Sequence, residues 1–316
     1  MKKFLIIFFT AVFCLQLCGC GQESVQETTE PPRIDTVGLC LRQQTHAPGY
    51  YDGLIQALKD AGFAVVVKDG NNDQSLQDQQ VRGLLETDCQ LLIVEPVMVT
   101  ALESVIDQAK ARNIPVLLID REPEKAVLES YEKLYYVGCE SGEAGKAQAQ
   151  LLEQIPVRGD LNEDGVISYM ILRGPEDHMD AQLITQGCIQ ALEQYETEQI
   201  CITATQWDAD SARASCVQAL SQFGKDIEVI FCNHAFLADG AAQAVEYNGW
   251  MPGQDIYILA VDNNDQLQQL INKGAVFGTV APGLQQRVNT ILQIAQSILA
   301  GQTPQACTYV PFASVT

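Results

Sequence analysis

Short apolar runs rich in β-branched residues alternate with amphipathic helical stretches along most of the chain. This alternation predicts parallel sheets whose strands are joined by crossover helices. The predicted strands are 37–41, 64–68, 91–94 and 116–119 and, after the pattern restarts near residue 136, 167–172, 200–203, 229–232, 256–260 and 276–280. The predicted helices are 51–61, 75–86, 101–112, 142–154, 180–193, 211–222, 240–247 and 264–273. We therefore expect an α/β fold of two doubly wound, Rossmann-like units.

Two doubly wound sheets also predict where a ligand binds. Ligands of such sheets gather outside the carboxyl ends of the strands. When two such edges face each other, the cleft between the two units becomes the binding site. We therefore expect the ligand site in that cleft.

The N-terminus predicts export. Lys2 and Lys3 precede an apolar run that is too short for a comfortable membrane span, as in a secretory signal peptide. The LCGC motif that ends at Cys20 resembles a bacterial lipobox. The motif indicates that residues 1–19 form a lipoprotein signal peptide. The alternative is an ordinary signal peptide with incidental cysteines. Residues 20–33 have little to bury and predict a flexible tether, so that lipidated Cys20 would anchor the protein outside the cytoplasm.

The charge balance bears on the choice of partner. The chain has 40 acidic residues against 19 lysines and arginines. Such an acidic surface repels phosphate backbones, so nucleic acid is not an expected partner.

The cysteines leave two interpretations open. Those beyond the leader are Cys40, Cys89, Cys139, Cys188, Cys201, Cys216, Cys232 and Cys307. They could form disulfides in an exported protein. Most lie singly inside apolar strand or helix patterns, however, which favours buried free thiols.

Nine short segments recur in the order of one known family. They are GNNDQS at 70–75, IDREP at 119–123, YYVG at 135–138, DLNEDG at 160–165, HMDA at 178–181, WD at 207–208, AVD at 260–262, GTV at 278–280 and VPF at 310–312. Together they resemble the galactose/glucose-binding branch of the type I periplasmic binding proteins. The resemblance implies two Rossmann-like domains joined by a three-strand hinge. It also implies delivery of a small polar solute, of the monosaccharide type, to the permease of an ABC importer.

The resemblance further implies how the chain divides. The N-terminal domain would hold 34–138 plus 282–308, and the C-terminal domain 139–281 plus 309–316. Three crossings between the domains permit hinge closure with little twisting. We also expect the protein to be a monomer.

The sequence is also compatible with a function other than transport. A sensor that presents its ligand to a membrane kinase or chemoreceptor is the alternative. An enzyme is not expected, because His178 and Asp180 are accompanied by no nucleophile motif and no catalytic metal cluster.

The loop that begins at residue 160 has the spacing of a calcium loop. Asp160, Asn162 and Asp164 alternate along it. Gly165 permits a sharp bend, and Val166 offers a backbone carbonyl, as in the first seven positions of an EF-hand. A polar turn without a metal is the alternative.

The rest of an EF-hand is missing, because Ile171 stands where the twelfth-position glutamate would be. The family resemblance supplies the remaining ligands instead, at Ser168 and the distant Glu228. It thereby implies a structural Ca²⁺ that stiffens a loop away from the cleft.

The ligand contacts implied by the resemblance are Tyr50, Asp120, Arg121, His178, Asp180, Trp207, His234 and Asp262. Polar side chains replace the water around buried sugar hydroxyls, and aromatic faces cover the C–H side of the ring. Trp207 would be one such plate, and Tyr50, or Tyr51, the other. The alternative for each polar residue is a solvated loop residue or helix cap, above all for Asp180.

Several positions depart from the glucose-binding pattern that the resemblance implies: the aspartate expected near Pro48 is absent, and Asp120 stands where the glucose-binding proteins have asparagine. Ile184 stands where the family has an arginine, and His234 and Pro282 stand where it has asparagines. We therefore expect weak binding of galactose and glucose and better binding of a pentose, a modified hexose or an amino-containing solute. The preference for an amine rests on the expectation that Arg121 is the only matched cation in an acidic cleft.

Overall fold

Two six-stranded sheets organise residues 34–316, which are the residues that the computed structural model describes, apart from the side chains of His46 and Pro48. The signal peptide over 1–19, the tether over 20–33 and the lipidation site at Cys20 lie outside the described residues and stay predictions.

The elements follow one another in regular alternation. The first part of the chain forms β1 (Thr36–Leu41), α1 (Pro48–Asp60), β2 (Ala64–Asp69), α2 (Gln74–Leu85), β3 (Leu91–Val94), α3 (Leu102–Ala111), β4 (Val116–Ile119), α4 (Lys125–Leu128) and β5 (Leu134–Gly138). The second part forms α5 (Ser141–Gln150), β6 (Ile167–Arg173), α6 (Met179–Leu192), β7 (Thr197–Ala204), α7 (Ala209–Phe223), β8 (Val229–Cys232), α8 (Ala235–Tyr247), β9 (Tyr257–Val261), α9 (Asp265–Asn272) and β10 (Gly278–Pro282). The last elements are α10 (Leu284–Leu299), β11 (Cys307–Tyr309) and β12 (Phe312–Val315).

The first sheet has the strand order β11-β5-β4-β3-β1-β2, with every neighbouring pair parallel. Its central strands read as continuous apolar runs because helices cover both faces of the sheet. Leu91 and Ile93 pack towards α1 and α10, whereas Leu92 and Val94 pack towards α2 and α3. Alternate residues of one strand therefore serve two separate cores.

The second sheet has the order β12-β10-β9-β8-β6-β7. Its pairs are parallel except for β10 with β12, which is antiparallel. Several of its helices begin at a capping side chain: Asp208 accepts from the backbone N–H of Ser211 at 2.8 Å, and Asn264 accepts from that of Leu267 at 2.8 Å.

The chain passes between the two sheets three times. It leaves the first sheet after β5, returns after β10, and leaves again between β11 and β12. The pairing shows which strands belong to each sheet, and the exact domain bounds stay a prediction.

The predicted strands 91–94, 116–119 and 229–232 are observed with the same bounds. Helix α8 begins five residues before its predicted start, at Ala235 rather than 240. The elements that were not predicted are α4, β5, α10, β11 and β12. The eight cysteines from Cys40 to Cys307 are free thiols, as preferred, but only five of them are buried, namely Cys40, Cys89, Cys188, Cys216 and Cys232. No helix of residues 34–316 is long and apolar enough to cross a membrane.

Candidate ligand-binding cleft

Asp120 and Asp262 occupy equivalent positions in the two sheets. Asp120 directly follows β4, and Asp262 directly follows β9. Both have left-handed backbone conformations, with φ of 65° and 70°. Aspartate tolerates this conformation better than most residues, and such positions concentrate at functional sites. The carboxyl edge of each sheet therefore presents one aspartate held in the same unusual way.

The Asp120 carboxylate contacts both a tyrosine hydroxyl and an arginine guanidinium. Its Oδ1 accepts from the Tyr50 hydroxyl at 3.2 Å and lies 3.1 Å from a terminal nitrogen of Arg287. The Arg287 guanidinium in turn covers the Tyr50 ring, with its Cζ 4.1 Å from the ring centroid. Tyr50 is only 3% exposed. The predicted ligand plate is thus covered by Arg287 in this structure.

Burial raises the pKa of Asp120 to about 6, against the opposing effect of Arg287 and with a further rise due to Glu95. The hydrogen bond from Tyr50 favours the ionised form and lowers the pKa. Desolvation outweighs these favourable contacts because the side chain is only 13% exposed.

A second buried carboxylate lies behind the first. Glu95, which directly follows β3, accepts from the Tyr51 hydroxyl at 2.7 Å. It also accepts from the backbone N–H of Arg42 at 3.1 Å and from the Arg42 Nε at 3.4 Å. Burial and Glu95 together raise the pKa of Tyr51 far above its ordinary value. The carboxylate is therefore paired with a cation and fixed by three donors.

Arg121 turns towards the backbone of its own sheet. One of its terminal nitrogens donates to the carbonyl oxygens of Pro96, at 3.1 Å, and Val97. Burial lowers the pKa of its guanidinium, Arg42 lowers it further, and Asp180 opposes the shift. The structure therefore shows Arg121 bound to main-chain carbonyls and within the electrostatic reach of Asp180.

Asp262 has a more open setting than its counterpart. Its side chain is 55% exposed, and its Oδ2 lies 3.3 Å from the His234 Nε2. Partial desolvation alone would raise the pKa of Asp262, but His234 and the backbone N–H of Asn263 lower it below its ordinary value. The two equivalent aspartates are therefore shifted in opposite directions.

Trp207 is the centre of an aromatic cluster on the second sheet. Its ring lies edge-on to His178, with centroids 5.3 Å apart, and 5.6 Å from His234. The His234 ring continues to that of Phe236 at 5.1 Å. A β-carbon at Gly174 would fall 2.2 Å from the indole, so only glycine leaves room for the ring there. The predicted residues His178, Trp207 and His234 are thus brought together.

Asp180 is a partner of the neighbouring helix. It accepts from the Ser141 hydroxyl at 2.8 Å, and its other oxygen lies 3.9 Å from the Nδ1 of His178. That Nδ1 is buried and has no hydrogen-bond partner among residues 34–316. Asp180 also lies in the first turn of α6, where a negative charge is favourable.

Aspartates from the two carboxyl edges shift the pKa of the same two groups, Arg287 and Cys139. The pKa of Arg287 would be lowered by burial, but Asp120 from the first sheet and Asp262 from the second raise it. The pKa of Cys139, at the first crossing between the sheets, is raised to about 12 by burial and by the same two aspartates. The candidate site therefore lies between the two edges.

The charge balance of the cleft needs a correction. Arg121 was expected to be its only matched cation, but Arg287 pairs with Asp120, and Arg42 pairs with Glu95. Ile184, which stands in place of a family arginine, is buried in the core of the second sheet. The cleft is therefore less acidic than the sequence predicts.

Acidic side chains accept hydrogen bonds from the backbone N–H groups of the predicted calcium loop. Glu228 accepts from the backbone N–H groups of Leu161 at 2.7 Å, Asn162 at 3.0 Å and Ser168 at 2.9 Å. Within the loop, Asp160 accepts from the N–H of Gly165 at 2.9 Å.

The other predicted ligands lie in the same turn. Asn162 accepts from the N–H of Asp164, and Asp164 accepts from that of Val166, each at 2.8 Å. The side chains of the described residues include no group of three or more His, Cys, Asp or Glu poised to hold a metal. The acidic side chains therefore accept from backbone N–H groups of this loop, and calcium stays a prediction.

Four residues of the cleft were missed by the sequence analysis, namely Arg42, Tyr51 as a hydrogen-bond donor, Glu95 and Arg287. Arg42 and Glu95 directly follow β1 and β3, as Asp120 follows β4. That position, at the carboxyl end of a parallel strand, was the signal that could have found them.

Residues 42–303 match the family described as the periplasmic binding protein domain. Over 248 residues the chain is 32% identical to the D-galactose/methyl-galactoside binding periplasmic protein of Haemophilus influenzae, covering 77% of this chain and 74% of that protein. It is 25% identical to the ribose import binding protein of Bacillus subtilis, covering 98% of each. A solved structure named as a periplasmic ribose ABC transporter from Conexibacter woesei superposes with a TM-score of 0.78 at 16% identity, covering 89% of this chain and 91% of that one.

Two mostly parallel sheets, each with an aspartate at its carboxyl edge, define a two-lobed α/β solute-binding protein. The chain belongs to the periplasmic binding protein family, with the type I fold, which confirms the predicted fold class and family. Its relatives are solute-binding proteins rather than enzymes, and the family acts outside the cytoplasm.

Proposed function

We propose that this protein binds a monosaccharide-type solute in the cleft between its two sheets and delivers it to the permease of an ABC importer. The observation that carries the proposal is the pair of strand-end aspartates, Asp120 and Asp262, one on each edge and both in left-handed conformations. Ionised carboxylates accept hydrogen bonds from adjacent hydroxyl groups, and Trp207 offers an apolar face next to His234, which contacts Asp262. The relatives named for galactose and ribose support this class of ligand.

We further propose that the cleft closes by hinge motion about the three crossings. The moving bodies would be 34–138 plus 282–308 and 139–281 plus 309–316, acting as a monomer. Closure would bring the two aspartates to opposite sides of one ligand and exclude water, which strengthens each hydrogen bond.

The experiment uses Trp207 as the reporter. The chain has two tryptophans, so Trp250→Phe leaves Trp207 as the only one. We expect D-galactose, D-ribose or D-xylose to change its fluorescence saturably, and calorimetry to give the same affinity. Asp262→Ala should abolish the change. Absence of binding by all three sugars would count against the proposal.

A structural Ca²⁺ in the loop 160–168 is a further part of the proposed function. Asp160, Asp164 and Glu228 each accept a hydrogen bond from a backbone N–H group of this loop, and none of them forms an ion pair with a Lys, Arg or His within residues 34–316. Hard oxygen donors of this kind suit a hard divalent cation. The side chains of Asp160, Asn162, Asp164, Ser168 and Glu228 and the carbonyl of Val166 would hold it.

Anchoring through a lipid at Cys20 completes the proposal. It rests on the lipobox resemblance of the sequence that ends at Cys20 and on the polar tether that follows. The anchor would keep the binding protein close to its permease.

A further inference from the structure

Arg287 lies close to the point where the chain crosses from the second sheet to the first. It lies in the first turn of α10, a few residues after β10 ends at Pro282. At this point the chain has just left the second sheet, and α10 packs on the core of the first. A long side chain here can reach both carboxyl edges.

The guanidinium of Arg287, rather than the ring of Tyr50, forms the surface on the Asp120 side. Arg287 is 19% exposed, whereas the ring beneath it is 3% exposed. Because its Cζ lies 4.1 Å from the ring centroid, the guanidinium plane is supported by the aromatic face and held against Asp120. A ligand that approaches Asp120 therefore meets Arg287 first.

One donor of Arg287 is unused. Its Nε is buried and has no hydrogen-bond partner among the described residues. A buried N–H without an acceptor is unfavourable by about 1–3 kcal/mol, so such groups are rare and call for an explanation. Because this nitrogen is sealed in the observed arrangement, the proposed hinge opening has to expose it before an oxygen atom of a ligand can satisfy it.

The surrounding charges nearly cancel. Arg42, Arg121 and Arg287 oppose the carboxylates of Glu95, Asp120, Asp180 and Asp262. The His234 Nε2 lies 3.3 Å from an oxygen of Asp262. The two buried carboxylates, Glu95 and Asp120, each already have an arginine partner, so an ammonium group of a ligand would find no unpaired buried carboxylate to offset its desolvation.

We propose that Arg287 is a ligand-contacting, specificity-determining residue, whose Nε donates to an oxygen of the ligand while a terminal nitrogen neutralises Asp120. The ligand is therefore an uncharged polyhydroxylated compound, and an amino-bearing compound is rejected. This inference rests on the proposed sugar-binding function and reverses the preference expected from the sequence.

The test compares binding of D-galactose, D-ribose and D-xylose with that of D-galactosamine by calorimetry. The variants are Arg287→Met, Arg287→Lys and, as a control, Arg213→Met, whose guanidinium lies 5.5 Å from the Tyr247 ring on another surface. In wild type we expect at least one neutral sugar to bind. We also expect D-galactosamine to bind no more tightly than D-galactose. Arg287→Met should weaken neutral-sugar binding by about tenfold or more, the loss of one charge-assisted hydrogen bond, and shift the preference towards the amine.

Arg287→Lys keeps the positive charge but lacks the Nε–H, so it should restore the preference for neutral sugars with an affinity between those of wild type and Arg287→Met. It also keeps the test decisive if Arg287→Met fails to fold. If wild type binds none of the neutral sugars, the proposed function fails and this inference fails with it. If wild type binds them and both Arg287 variants bind them equally well, this inference alone is overturned. Preference of wild type for D-galactosamine would likewise overturn it.

Discussion

The opposite pKa shifts of Asp120 and Asp262 predict opposite responses of stability to pH. Burial raises the pKa of Asp120 from 3.8 to about 6 in the folded protein. Below pH 3.8 the carboxyl is protonated in both the folded and the unfolded states. As the pH rises towards 6, the unfolded chain releases this proton while the folded protein retains it, so the unfolded state is favoured.

The magnitude follows from the shift. A difference of about two pKa units corresponds to about 3 kcal/mol of unfolding free energy. Asp120→Asn cannot ionise and escapes this loss. We therefore expect the stability of wild type to fall by about 3 kcal/mol relative to Asp120→Asn between about pH 3.5 and pH 7.

Asp262→Asn provides the matched control, because Asp262 has the same backbone conformation but a lowered pKa. Ionised Asp262 stabilises the folded state above the unfolded pKa, and this contribution is lost as the pH falls through the folded pKa. Wild type should therefore gain stability relative to Asp262→Asn as the pH rises through the acidic range. The assay is urea unfolding of the three ligand-free proteins across this range. A wild-type minus Asp120→Asn difference that stays flat, or that rises with pH, would refute the reasoning.

Three further expectations concern other parts of the molecule. Gly174→Ala places a methyl group 2.2 Å from the indole, so it should displace Trp207, change its emission and weaken sugar binding by about tenfold. Gly83→Ala, with open space around it, should change neither emission nor binding. Unchanged emission of Gly174→Ala would contradict the packing. Asp164→Asn keeps the oxygen that accepts from Val166 but loses a charge, so it should reduce the rise in melting temperature caused by Ca²⁺. Glu163→Gln, which changes a residue outside the predicted ligand set, should not reduce it. Equal wild-type melting curves with Ca²⁺ and with a chelator would exclude the site. Cys20→Ala should release the protein from membranes or leave it as a precursor, and membrane fractionation that shows unchanged anchoring would exclude the lipobox.

The sheets could be predicted because their strands have a strong local signal. Leu91–Val94 and Val116–Ile119 are continuous apolar runs, buried on both faces, so composition alone marks their ends. Helix α10 has a legible pattern too, since Val288, Ile291 and Ala295 are buried on one face. The sequence analysis assigned no element there, and Arg287 therefore had no place in the predicted site.

The polar contacts of the cleft could not be predicted in the same way. The pairing of Asp120 with Arg287 joins residues far apart in sequence, and no local spacing encodes it. The orientation of Arg121 towards the carbonyls of Pro96 and Val97 likewise depends on how β3 and β4 lie side by side. Residue identity predicted which groups were polar, whereas tertiary packing decided which of them are already satisfied.

The departure at Ile184 shows why matching site positions one by one can mislead. The arginine that the family resemblance places at that position is replaced by a buried apolar residue that belongs to the core of the second sheet. Arg287 carries a guanidinium to Asp120 from a different element, and arginine can do so because its long side chain separates the charge from the backbone. A position-by-position comparison counts the lost cation but not the one supplied from α10. The charge of a binding cleft therefore follows from which side chains reach it in three dimensions, and here that charge is close to balanced.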